Sequence, residues 1–118
     1  MTVSPSDLAR TLLARAARRR EADLRDRDAC RESVKRALSA KRDELGAARV
    51  WIIGSLAWGD FGIRSDVDVV VADARSELVS EIDDALGRAT GRAIDVLVFE
   101  TLSPSFQERV LRQGWLVS

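Results

Sequence analysis

Apolar residues recur every three or four positions through the first third of the chain, and in short β-branched runs thereafter. Leu8, Leu12 and Ala16 follow i, i+4, i+8 spacing behind Ser6 or Asp7, either of which can cap a helix, with residues 1–5 frayed. Val34, Leu38 and Leu45 mark a further helical stretch, and Gly46 is its natural stop. No proline or glycine interrupts Asp7 to Leu45, so one helix and two fit equally. Unbroken, it would run to roughly 58 Å at about 1.5 Å per residue. Such a helix overhangs a small domain and needs a break near Arg20, a partner chain, or a homo-oligomer formed through it.

Past residue 46 the pattern changes. Arg49-Val-Trp-Ile-Ile53 is a short buried strand bounded by Gly54, and Val67 to Ala72 is a second. Ser76 caps a helix with Val79, Ile82 and Leu86 facing the core, ending near Gly87 or Gly91. Arg92 to Glu100 forms a third strand with one acid, Asp95, inside an apolar run. Ser103-Pro104-Ser105 opens a last helix with proline in its first turn and a Ser105/Glu108 capping box. Phe106, Val110 and Leu111 point inward, Gly114 ends the helix, and Trp115-Leu116-Val117 packs as a short strand or tail. The order α(α)–β–β–α–β–α indicates an α/β (α+β) domain over 47–118 behind an N-terminal helical extension over 1–46.

A length of 118 residues suits one domain with one modest core. No apolar run is long enough to span a bilayer and no signal peptide opens the chain, so a cytoplasmic location is expected. A single cysteine, Cys30, rules out an internal disulfide and a cysteine-based zinc cluster. The absence of histidine removes Ser-His-Asp chemistry, histidine-ligated metals and imidazole acid–base catalysis. Carboxylates and hydroxyls must do the work of any enzyme here. The zero net charge conceals an asymmetry: residues 1–46 hold twelve basic and eight acidic side chains, so the remainder is acidic by the same margin of four. A solvated basic helix face accounts for this; an RNA-binding surface is disfavoured because Asp23, Asp26 and Asp28 interrupt the arginines.

The acids are more informative. Side chains alternate along a strand, so Asp66 and Asp68 project from one face about 7 Å apart, while Val67, Val69 and Val71 cover the other. An isolated ionised Asp95 among Ile94, Val96, Leu97 and Val98 would cost several kcal/mol unless paired or metal-bound. The nearest basic residue, Arg92, is three positions away. Alternatively, Asp95 lies at a sheet edge or bulge open to water. If the third strand pairs beside the second, three carboxylates share one face, an arrangement suited to Mg²⁺ or Mn²⁺ and to displacement at phosphorus by two metal ions. Gly54-Ser55 after a buried strand is a turn whose N–H groups and hydroxyl can cradle phosphate oxygens.

These residues resemble the minimal nucleotidyltransferases of the DNA polymerase β superfamily, whose signature is Gly-Ser after the first strand, an acid-x-acid pair about ten residues on, and a third acid on a later strand. Here these are Gly54-Ser55, Asp66-Val67-Asp68 and Asp95, and the likeness covers about residues 48–118. It implies the small mixed-sheet nucleotidyltransferase fold and transfer of AMP from ATP to a hydroxyl with release of pyrophosphate. Asp66, Asp68 and Asp95 would be the catalytic, metal-holding acids for two Mg²⁺ or Mn²⁺ ions, with Asp95 orienting or deprotonating the acceptor. Gly54, Ser55, Arg64 and Ser65 would bind the nucleotide. Many small members are antitoxins that silence a HEPN-domain ribonuclease toxin by binding it or by adenylylating its tyrosine, so a HEPN partner is expected, without membrane or direct nucleic-acid binding. The alternatives are neutralisation by contact alone and, further off, transfer to a small molecule such as an aminoglycoside. Trp58 is a departure, standing where many members have an arginine. It either packs under the loop or weakens triphosphate binding, with Arg64 as the compensating cation.

Overall fold

A computed structural model describes residues 4–118; of the five expected to fray, residues 1–3 lie outside it. Ser4 is the N-cap of the first helix, its hydroxyl accepting from the Asp7 N–H, and Pro5 occupies the first turn. The cap thus sits two to three residues earlier than Ser6 or Asp7, because Pro5 already has the φ a helix start needs. Helix α1 runs unbroken over Pro5–Ala40. There is no break near Arg20; the chain turns only at Lys41, before a single turn, α2 (Arg42–Leu45), that Gly46 ends. Only the C-terminal part of α1 is anchored, through buried Cys30, Val34 and Leu38, while Leu8, Leu12 and Leu13 are exposed. The molecule accordingly extends 65 × 31 × 17 Å.

Strands β1 (Arg49–Ile53), β2 (Val67–Ala72), β3 (Ile94–Val98) and β4 (Trp115–Leu116) form one mixed sheet in the order β3-β2-β1-β4. β1 is antiparallel to both β2 and β4, and β2 is parallel to β3. That parallel pair requires a crossover, which α4 (Ser76–Thr90) supplies. Ser76 is the first helical residue rather than the cap; the cap position is Arg75, without a side-chain bond, and Gly91 closes the helix in a left-handed conformation. α1 and α4 cover one sheet face, where Val34, Leu38, Ile82 and Leu86 meet Val50, Ile52, Val67, Val69 and Val71.

The opposite face is more thinly covered. A 3₁₀ turn (Phe99–Thr101) follows β3 and leads into α5 (Pro104–Gln113), whose Val110 packs on Trp51, Ile53, Val70 and Ala72. Trp51 stacks on Phe99 with centroids 5.3 Å apart. Ser103, not Ser105, caps α5, accepting from the Phe106 N–H. Leu111, expected inward, is exposed, because ten residues on a two-stranded footprint bury only the Phe106–Val110 stripe. Among the described residues no helix is long and apolar enough to cross a membrane.

Candidate active site

Three chain segments meet at the end of the sheet where β1 leaves and β2 and β3 enter. Asp68 is the register partner of Ile53 on one side and of Asp95 on the other. Asp66 precedes the strand, its entry held by the Val67 N–H donating to the Ala93 carbonyl at 3.0 Å. All three acids belong to the face that α5 covers, by the alternation that sends Val67, Val69 and Val96 to the other side. The structure therefore brings Asp66, Asp68 and Asp95 to one patch.

Their burial differs from expectation at one point. Asp95 is exposed, since β3 is an edge strand and α5 shields Leu97 and Phe99 but not the strand entry. The apolar run around Asp95 thus does not desolvate it, and the burial argument for a counter-ion at this residue falls. Asp68 is the half-buried member. Burial first, then the neighbouring Asp95 and Asp66 carboxylates, push its pKa above the usual aspartate range. Among the described residues no three acids close to metal-holding distance of one another; like charges spread apart. The donor set nonetheless fits a hard divalent cation, being carboxylate oxygens alone, crowded enough to perturb Asp68 and open on one side.

Gly54 ties the turn to the acids. Its φ of 69° and ψ of −153° lie in a region that only glycine adopts readily. A Cβ there would collide with Oδ2 of Asp68. Ser55 opens a one-turn helix, α3 (Ser55–Trp58), beside this contact.

Two arginines brace the site, and local sequence signals identified neither. Arg31 of α1 donates through Nε and Nη2 to the carbonyls of Leu56 and Ala57, at 2.9 and 3.1 Å, holding α3 in place. Arg92 donates through Nη1 to the carbonyls of Gly62, Ile63 and Ser65, at 2.9, 3.3 and 2.8 Å, and lies over the Phe61 ring. It shapes the connection that delivers Asp66. The Ser65 hydroxyl accepts from the Gly62 N–H at 2.9 Å, so it organises the same turn, while Arg64 is exposed along a cleft shared with Arg19, Asp23 and Asp60. Arg92 could have been suspected from its place before an acid-bearing strand. Arg31 could not, being remote in sequence from its partners. Trp58 does not pack beneath the loop: it is 38% exposed, with the Arg109 guanidinium over its ring at 4.5 Å.

Comparison with known proteins follows this geometry. The family profile described as "Polymerase beta, Nucleotidyltransferase" matches residues 32–118. A solved structure described as that of a minimal nucleotidyltransferase is 31% identical, with a TM-score of 0.62 over 75% of this chain and 92% of the other. A toxin–antitoxin structure with AMP-PNP is 20% identical, at TM-score 0.57 over 71% and 72% of the two chains. A complex of tri-AMPylated Shewanella oneidensis HEPN toxin with its MNT antitoxin is 17% identical, at TM-score 0.53 over 75% and 71%; these last two likenesses bear on the fold alone. No match is found among curated protein sequences.

Proposed function

The chain belongs to the polymerase β-type nucleotidyltransferase family, and from that premise we propose that it transfers AMP from ATP to a hydroxyl, the acceptor being a tyrosine of a HEPN-domain toxin that it holds in check. The observation that carries this reading is the side-by-side register of Asp68 and Asp95, with Gly54 pressed against Asp68. It places the turn that would cradle phosphates against the acids that would work on them.

Asp66 and Asp68 would hold two Mg²⁺ or Mn²⁺ ions, and Asp95 would share one of them. When bound, such ions neutralise the triphosphate and stabilise charge developing at phosphorus. The chain's own contributions are geometric and protonic. Gly54 and Ser55 receive the β- and γ-phosphates, and Arg64 and Ser65 flank the nucleotide. Asp95, exposed on the edge strand, faces the side from which a large acceptor can arrive. Its carboxylate orients the hydroxyl and takes its proton as the oxygen attacks the α-phosphorus. One P–O bond forms, the bond to the β-phosphate breaks, and pyrophosphate leaves.

The neighbours with AMP-PNP and with a tri-AMPylated HEPN toxin support this reading by fold likeness. Incubation with α-labelled ATP, Mg²⁺ and the helical protein encoded beside it should label that protein. Equal labelling by an Asp66→Asn/Asp68→Asn double variant would overturn the assignment of the acids. The long α1, with exposed leucines beyond the body, favours a second reading in which contact alone neutralises the partner. That reading requires the double variant to protect cells as well as the wild type does.

A further inference from the structure

A triphosphate carries close to four negative charges, and it would approach a face that already bears three carboxylates. Ions held by the acids offset part of this charge, and side-chain cations must meet the rest. Most arginines near the site are not available for that task. Arg31 is committed to the Leu56 and Ala57 carbonyls and Arg92 to three loop carbonyls, while Arg49 pairs with Asp73 at 3.4 Å.

Arg109 is placed differently. It projects from α5, the helix on the acid-bearing face, and lies over the ring of Trp58 at the end of α3. α3 begins beside Gly54, so the ring stands about one helical turn, roughly 5 Å, from the contact with Asp68. Two contacts fix the guanidinium. The aromatic face holds its plane, and Nε donates to Oε1 of Gln113 at 3.1 Å. Both Nη groups are left facing outward. Among the described residues no carboxylate lies within ion-pair distance of Arg109; its neighbour Glu108 pairs with Arg112 instead. A planar, pre-oriented fork without an anion partner suits bidentate recognition of phosphate oxygens.

We propose that Arg109, held flat on Trp58, receives the terminal phosphates of the nucleotide, so that α5 as well as the Gly54–Ser55 turn forms the triphosphate site. This rests on the nucleotide-binding reading above. Because the guanidinium occupies one face of the ring, Trp58 acts as its platform and does not stack the base on that face. Arg109 is thereby a phosphate-binding residue and Trp58 a positioning residue.

The test is a titration of AMP-PNP and of AMP, each with Mg²⁺, followed by calorimetry for the wild type, Arg109→Ala, Arg109→Lys and Trp58→Ala. Arg109→Ala should weaken AMP-PNP by about tenfold or more, the effect of losing a charge-assisted pair, and change AMP by less than about twofold. Arg109→Lys should recover part of the loss, and Trp58→Ala should resemble Arg109→Ala in its selectivity for AMP-PNP. An Arg109→Ala protein that melts normally and binds AMP-PNP as the wild type does would overturn the proposal and leave the nucleotide-binding reading intact. Equal losses for AMP and AMP-PNP would also overturn it, since a terminal-phosphate contact must discriminate between them. A wild type that binds neither would remove both.

Discussion

Alanine at position 54 would meet two separate penalties. Its backbone would have to hold φ near 69° with ψ near −153°, a conformation outside the range of residues with a Cβ, at about 1–3 kcal/mol. Its methyl group would also occupy the space of Asp68 Oδ2, forcing that side chain off its rotamer at about 0.5–1.5 kcal/mol. Together these give roughly 2–4 kcal/mol, or a fall of about 8–16 °C in melting temperature for a chain of this size. The informative measurement is a double-mutant cycle by thermal or urea unfolding, comparing Gly54→Ala in the wild type and in Asp68→Ala. The backbone penalty survives removal of the carboxylate; the collision does not. Gly54→Ala should therefore be milder in the Asp68→Ala background by about 1 kcal/mol, above the ~0.3–0.5 kcal/mol scatter of independent sites. A fall of less than about 2 °C in the wild type would refute the backbone argument. Equal penalties in both backgrounds would refute the proposed contact.

Three further outcomes are expected. Asp68→Asn should raise the melting temperature of the metal-free protein near neutral pH by about 2–3 °C, the scale of relieving a like-charged cross-strand pair. Folded Asp68 binds its proton more readily than the unfolded chain does, so its penalty appears as pH rises through its titration range and vanishes below it. The variant's advantage should fade on acidification and shrink when Mg²⁺ is added to the wild type; an advantage that persists or grows in acid would contradict this. Arg92→Leu should loosen the 61–65 connection, destabilising by about 2 kcal/mol, with a larger fall in turnover than in nucleotide affinity. Arg92→Lys should not restore it, because one ammonium cannot both cover Phe61 and serve three carbonyls; full rescue would argue for charge alone. Leu38→Ala, in the core, should cost about 2–5 kcal/mol, whereas Leu12→Ala, on the overhanging part of α1, should stay within about 0.5 kcal/mol for the isolated protein in urea unfolding.

The legible part of this chain was local. β1 and β2 follow from β-branched runs bounded by glycine, and the shared face of Asp66 and Asp68 follows from strand alternation. That Asp95 would stand beside Asp68 needed only the conjecture that β3 pairs with β2, which the register bears out. Strand order was another matter. Nothing in the run around Asp95 tells that β3 is an edge, so its apolar neighbours suggested burial where the sheet leaves exposure. The helix caps were misread by two or three residues where two serines flank a proline and each satisfies the same pattern. The roles of Arg31, Arg92 and Arg109 depend on contacts across the chain, and each looked like one more surface charge. Leu111 shows the same limit: helical spacing gives a stripe, but only the width of the underlying sheet sets how much of it is covered.

The β2–α4–β3 crossover carries a consequence in time. Asp68 and Asp95 are lateral neighbours, yet the whole of α4 separates them along the chain. A parallel pair cannot form by zipping outward from a turn; the intervening segment must be made and its loop closed first. During synthesis, β1 and β2 can meet as an antiparallel pair before either Asp95 or Arg109 exists. The acids come together only after α4 has docked, and α5 arrives last. A nascent or partly opened chain thus has a phosphate-friendly turn but no assembled acid patch, which makes competence at this site a property the molecule acquires late and loses early.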